Sequence, residues 1–183
     1  MLKKLILFFV FMFILSVSGC AKNVEDEEYH GGIYSGEWQF GKPNGHGKYT
    51  ADTDGAVITY EGEWRSGTRH GHGVQVLESG DGSVLTYEGG WRYDKRHGEG
   101  LQIYERADGS VIIHEGIFSS DLLHGRGKMT VTYDSEDMFK SVEYEGDFVF
   151  GTKHGYGAEV EKGREGGIIV QRAGIWENDN FSD

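Results

Sequence analysis

The chain repeats itself, and the repeat limits what it can become. Aligned on a leading aromatic position, the stretches Tyr34-SGEWQFGKPNGHG, Tyr60-EGEWRSGTRHGHG, Tyr87-EGGWRYDKRHGEG, His114-EGIFSSDLLHGRG and Tyr144-EGDFVFGTKHGYG superpose, and a degenerate sixth copy, Arg172-AGIWENDNF, follows them. Successive copies start 26 to 30 residues apart. A period of that length marks a stacked array in which each unit buries its apolar face only against its neighbours. An active site needs its groups once and in one place, so residues that recur in every copy read first as scaffold.

The unit is made of strands. From Ala56 to Trp64, Ala56, Ile58, Tyr60, Gly62 and Trp64 fall on one face and Val57, Thr59, Glu61 and Glu63 on the other. The same phase returns at Ser83 to Trp91, Ser110 to Phe118 and Val142 to Phe148. Strict alternation of this kind is the signature of a strand with one packed face, here the aromatic one. Asp54-Gly55, Asp81-Gly82 and Asp108-Gly109 precede three of these strands as hairpin signals. A longer joint surrounds Asp134 to Asp137, and another runs from Lys162 to Gly167. Thirty glycines against one proline suit a chain of strands and tight turns. A lone hairpin is marginal in water, so each copy needs the next.

The pattern Y-E-G-E-W-x-x-G-x-x-H-G-x-G at 60–73 resembles the MORN repeat, the membrane occupation and recognition nexus motif, over roughly residues 32–181. The resemblance implies an all-β fold: an elongated, twisted antiparallel sheet of stacked hairpins with the aromatics lining its inner side. Asp94 and Asp121 stand at a usual glycine and His114 at the usual tyrosine, departures that bear on local turn geometry.

The first residues read as an export signal. Lys3 and Lys4 precede an apolar run from Leu5 to Leu15, too short to span a bilayer, with small residues after it. Its end, Leu15-Ser-Val-Ser-Gly-Cys20, resembles a bacterial lipobox, which implies cleavage after residue 19 and acylation of Cys20. The expected organisation is a signal at 1–19, an acidic tether at 20–31 and a repeat domain at 32–181. The localisation that follows is the bacterial cell envelope, with the outer membrane favoured by Ala21 if the cell has one. Cys20 is the only cysteine, so no disulfide forms within the chain.

Charge narrows the partners. The formal net charge is −12, and removing Lys3 and Lys4 with the signal makes the remainder −14. Such a domain is repelled by nucleic-acid phosphate and by anionic headgroups, so no nucleic acid is expected and lipid headgroup recognition ranks below other readings. His70, His97, His124 and His154 recur at one position, with Asn44 in the first copy. Two strands per repeat place such equivalents ~10 Å apart, whereas zinc holds its nitrogens at ~2 Å. They read as turn residues, and neither metal nor cofactor is expected. The column Glu61, Glu88, Glu115 and Glu145 repeats likewise, and no catalytic motif accompanies it, so no enzyme is expected.

One break in the pattern points to a contact. On the polar phase most copies carry Thr and Glu, but the fourth carries Val111, Ile113 and Ile117, and the sixth Ile169, Ala173 and Ile175. A contiguous apolar patch on an acidic surface marks a protein contact. Val111, Ile113 and Ile117 are therefore the expected partner-binding residues, toward an envelope or extracellular protein, for which the acidic surface favours a basic one, or toward a second copy. The expected function is a membrane-tethered interaction or scaffold module. The alternative is a binder of envelope glycans or small ligands through aromatics exposed on the sheet face.

Overall fold

The computed structural model describes residues 21–134 and 139–182, with only the backbone described at 139–140. Cys20 lies outside the described residues. Among them the chain is all β: β1 Lys22–Tyr29, β2 Gly32–Gln39, β3 Lys42–Thr53, β4 Ala56–Arg65, β5 Thr68–Glu78, β6 Val84–Arg92 and β7 Lys95–Glu105 are followed by β8 Val111–Ser119, β9 Leu122–Thr132, β10 Phe139–Val149, β11 Thr152–Gly163, β12 Ile168–Glu177 and β13 Asn180–Ser182. All join one open sheet in which spatial order follows chain order and every neighbouring pair is antiparallel.

The acidic segment expected as a tether is mostly strand. Lys22–Tyr29 pairs with β2, Val24 is buried at 8% exposure, and the Tyr29 hydroxyl donates to Gly67 O at 2.8 Å. Val24 and Tyr29 are an odd number of residues apart and cannot share a face in a regular strand. A bulge between Val24 and Glu27, with Asp26 at φ 51°, brings both to the packed side.

The two ends of the strands are closed differently. Along one rim, six two-residue turns (40–41, 66–67, 93–94, 120–121, 150–151 and 178–179) have positive φ at both positions, the primed geometry that matches strand twist. Asp94, Asp121 and Asp179 adopt φ of 65°, 75° and 66° where the other copies use glycine, so their turns are unchanged. On the opposite rim Asp54-Gly55 is such a turn, as the sequence predicts. Asp81-Gly82 and Asp108-Gly109 instead sit in longer loops, where Asp81 Oδ1 accepts from Ser83 N and Oγ and Asp108 Oδ1 from Ser110 N and Oγ.

The packed face accounts for the motif. Gly62 and Gly73 are opposite one another on β4 and β5, and the Tyr60 ring lies over the pair with its hydroxyl donating to Glu63 O at 2.9 Å. Tyr34, Tyr87 and Tyr144 repeat the arrangement, donating to Glu37 O, Gly90 O and Asp147 O. Each tyrosine is at most 1% exposed without a second layer above it. Trp91 stands edge-on between Tyr60 and Tyr87, at 5.3 and 5.2 Å, and its Nε1 donates to Gly73 O at 3.1 Å. In the His-Gly-His segment the strand bulges against Glu63; Gly71 takes φ 55°, and Glu63 Oε1 accepts the His72 N–H at 2.8 Å.

The fourth copy solves the same problem with different residues. His114 replaces the tyrosine, and Leu123, 4% exposed, fills the space over Gly116 and Gly127. Its counterparts elsewhere are Pro43, Arg69, Arg96 and Lys153. Arg69 caps the Trp91 ring at 4.3 Å and bonds Gln75; Arg96 bonds Gln102; Lys153 caps Trp176 at 4.3 Å and pairs with Glu159. Where the first member is Pro43 or Leu123, the residue six further on is Tyr49 or Met129, packed against the core.

Candidate functional site

The recurring turn residues hold neighbouring turns together. The second turn residue of each copy after the first donates its N–H to a carbonyl one repeat back, as Gly67 to Pro43 O, Asp94 to Arg69 O and Asp121 to Arg96 O. Asp94 Oδ1 also accepts from Arg69 N and Nε, and Asp121 Oδ1 from Arg96 N and Nε. Pro43 has no N–H to give, and the turn that faces it carries Gly67 rather than aspartate. Burial pushes the phenols of Tyr34, Tyr87 and Tyr144 up to about 12, so they stay neutral donors. Burial, helped by the Arg96 charge, lowers His114.

The histidine column lies along the short-turn rim, where His70 rests on Tyr93 at 5.4 Å and His124 on Phe150 at 5.6 Å. Among the described residues no group of three or more His, Cys, Asp or Glu side chains is placed to hold a metal ion. An open cleft of about 570 Å³ on the aromatic face is lined by Tyr29, Tyr49, Tyr60, Trp64, Arg69 and Asp94. Its Arg69 and Asp94 already bond one another.

The outer face carries the predicted contact residues. Ile113 lies opposite Ile103 of β7 and Thr130 of β9, Val111 opposite Glu105 and Thr132, and Ile117 opposite Glu99. Val111 and Ile113 are half-buried by these neighbours and Ile117 is 41% exposed. Leu101, beside Glu115, and Ile103 extend the patch into the third copy. The sequence reading followed only the first strand of each repeat and missed them, although the alternation Leu101-Gln102-Ile103 was there to read.

The patch does not run on to the sixth copy. Between β8 and β12 the same face bears Arg126, Lys128, Glu143 and Glu145, linked as Arg126–Glu145 at 3.6 Å, Lys128–Glu143 at 4.0 Å and Lys162–Glu143 at 2.6 Å. Ala173 and Ile175 form a separate surface with Ala158 and the exposed Tyr156. The last residues do not cover the central patch, because Asn180–Ser182 pairs edge-on with β12.

The aromatics on the inner sheet face are the core. The most exposed aromatics are Phe40, Phe150, Tyr93 and Tyr156, at 75%, 72%, 64% and 64%; Tyr156 lies on the outer sheet face and the other three at turn tips of one rim.

A search of curated proteins finds no match to this chain. The MORN repeat family matches residues 34–54, 60–82, 87–111, 114–130 and 144–160, the five segments whose paired glycines, covered by a tyrosine in four of them and by Leu123 in the fourth, build the sheet. The matched copies cover more than half of the chain, which therefore belongs to the MORN repeat family.

Proposed function

We propose that this protein is a bacterial envelope lipoprotein whose repeat sheet is a protein-interaction module. The observation that carries the reading is the outer-face patch of Leu101, Ile103, Val111, Ile113 and Ile117, on a face where the half-buried Val74 and Val76 stand instead between Thr and carboxylate neighbours. A stacked array presents such a surface rigidly, since neighbouring turns are bonded to one another. Glu25, Asp26, Glu27 and Glu28 stand exposed on the edge strand and would steer a basic partner by complementary charge. Ile113→Asp combined with Ile117→Asp should abolish capture of one reproducible envelope partner, or self-association measured by light scattering, with circular dichroism and melting unchanged. A double variant that unfolds would make these residues part of the core.

The anchor follows from the lone cysteine after the apolar run. β1 begins at Lys22, so acylation of Cys20 would hold the sheet close to the bilayer without an intervening linker. At ~0.8 kcal/mol per buried CH₂, two or three acyl chains bind membrane firmly. Labelled palmitate should enter the wild type and not Cys20→Ser, and the variant should remain an uncleaved precursor. Absence of label from the wild type would remove the tether.

A further inference from the structure

The short-turn rim carries a feature that folding does not require. The first residue of all six turns has φ between 49° and 51°, a region that bulky side chains rarely adopt. Ser66, Ser120 and Asn178 occupy it in the second, fourth and sixth copies, whereas Phe40, Tyr93 and Phe150 occupy it in the first, third and fifth. The turn therefore forms without an aromatic, yet every other copy places one there, largely in solvent. Two are steadied from behind, Tyr93 by His70 and Phe150 by His124.

Over the first three copies the same rim is basic although the chain is acidic. Lys42, Arg65, Arg92 and Lys95 are exposed beside these turns and join no ion pair among the described residues. The rim's Asp94 and Asp121 are taken up by Arg69 and Arg96, and Asp179 accepts from Lys153 N. The opposite rim exposes Asp52, Asp54, Glu78, Asp81, Glu105 and Asp108. Apart from the exposed Glu177 beside the sixth turn, negative charge is thus concentrated away from the aromatic rim.

We propose that the short-turn rim binds an extended anionic polysaccharide, whose sugar faces stack on Phe40, Tyr93 and Phe150 and whose carboxylates or phosphates pair with Lys42, Arg65, Arg92 and Lys95. This site is independent of the outer-face patch. Successive rings are four strand spacings apart, ~19 Å along the stack, with serines between them, so they do not form the contiguous apolar patch of a protein contact. Sheets also twist by roughly 20–25° per strand, which turns the rim by about 90° between successive rings. A flat bilayer meets one ring at a time; a flexible chain following the rim meets all three.

The test is calorimetric titration of the full chain with polygalacturonate, neutral dextran and inorganic polyphosphate, and co-sedimentation with phosphatidylglycerol vesicles. Polygalacturonate should bind in preference to dextran. Phe40→Ser, Tyr93→Ser and Phe150→Ser together should weaken it at least tenfold with the melting curve unchanged, because serine already occupies this turn position twice. Arg92→Gln with Lys95→Gln should weaken it and flatten its salt dependence. The proposal is overturned by equal binding of dextran, by polygalacturonate bound as tightly with the three serines in place, or by rim substitutions that release vesicles but not polygalacturonate. Unfolding of the triple variant would also overturn it, since the aromatics would then be structural.

Discussion

Gly73→Ala should destabilise the protein by about 3 kcal/mol, among the largest losses from the addition of one methyl group anywhere in the sheet. A β-carbon on Gly73 would stand 2.5 Å from Tyr60 Cζ, inside any real contact. The ring cannot move aside, because it is 1% exposed, its hydroxyl is held on Glu63 O, and Trp64 and Trp91 stand edge-on against it at 5.2 and 5.3 Å. In the fourth copy the equivalent Gly127 faces Leu123 Cδ2 at 3.1 Å, a methyl that can turn away, and the backbone oxygen Glu115 O at 2.9 Å, which must be displaced slightly. Gly127→Ala should cost less, about 2 kcal/mol. Urea denaturation of the two variants checks the comparison, and equal losses would mean that the tyrosine ring is not what excludes the side chain.

Trp91→Ala should cost about 3–5 kcal/mol, by removing a large side chain from a site with little freedom to collapse. The loss includes two edge-on ring contacts, the Nε1 bond to Gly73 O and the surface on which the Arg69 guanidinium rests. Glu63→Ala, one residue before the tryptophan position of its own copy, should cost only about 1 kcal/mol, for the bond to His72 N. The alternation alone gives Glu63 no partner; the bulge supplies one. A melting series in which Glu63→Ala proved the more damaging would reverse the assignment of faces.

The strands, their faces and the stacking order were legible because each copy restates the same alternation, so Tyr60, Trp64, Tyr87 and Trp91 declare their side without help from tertiary structure. β1 was not legible, since its only apolar residues, Val24 and Tyr29, share a face through a bulge at Asp26 that no alternation encodes. The pairing of Arg69 with Gln75, Arg96 with Gln102 and Leu123 with Met129 was present in the repeats at a constant spacing of six. It becomes meaningful only when a bulged strand brings the two positions together over one ring. The site was half legible for a similar reason. Ile113 and Ile117 could be read from their own strand, whereas Ile103 joins them through cross-strand register, and the exposure of Phe40, Tyr93 and Phe150 depends on turn geometry.

The substitution at His114 divides the array into blocks. Edge-on ring contacts run without a gap from Tyr34 through Trp64, Tyr60, Trp91 and Tyr87 to Phe118, and begin again from Phe148 through Tyr144 to Trp176, on which Phe181 packs at a tilt. Between them, among the described residues, the packed face is joined by Leu123 and Met129, while the backbone ladder from β8 through β9 to β10 continues. In a one-dimensional array, cooperativity is transmitted only through nearest-neighbour interfaces, and local opening starts at the weakest of them. Native-state hydrogen exchange should therefore show the amides of β10 to β12 opening as a unit of their own, at a lower free energy than those of β2 to β8.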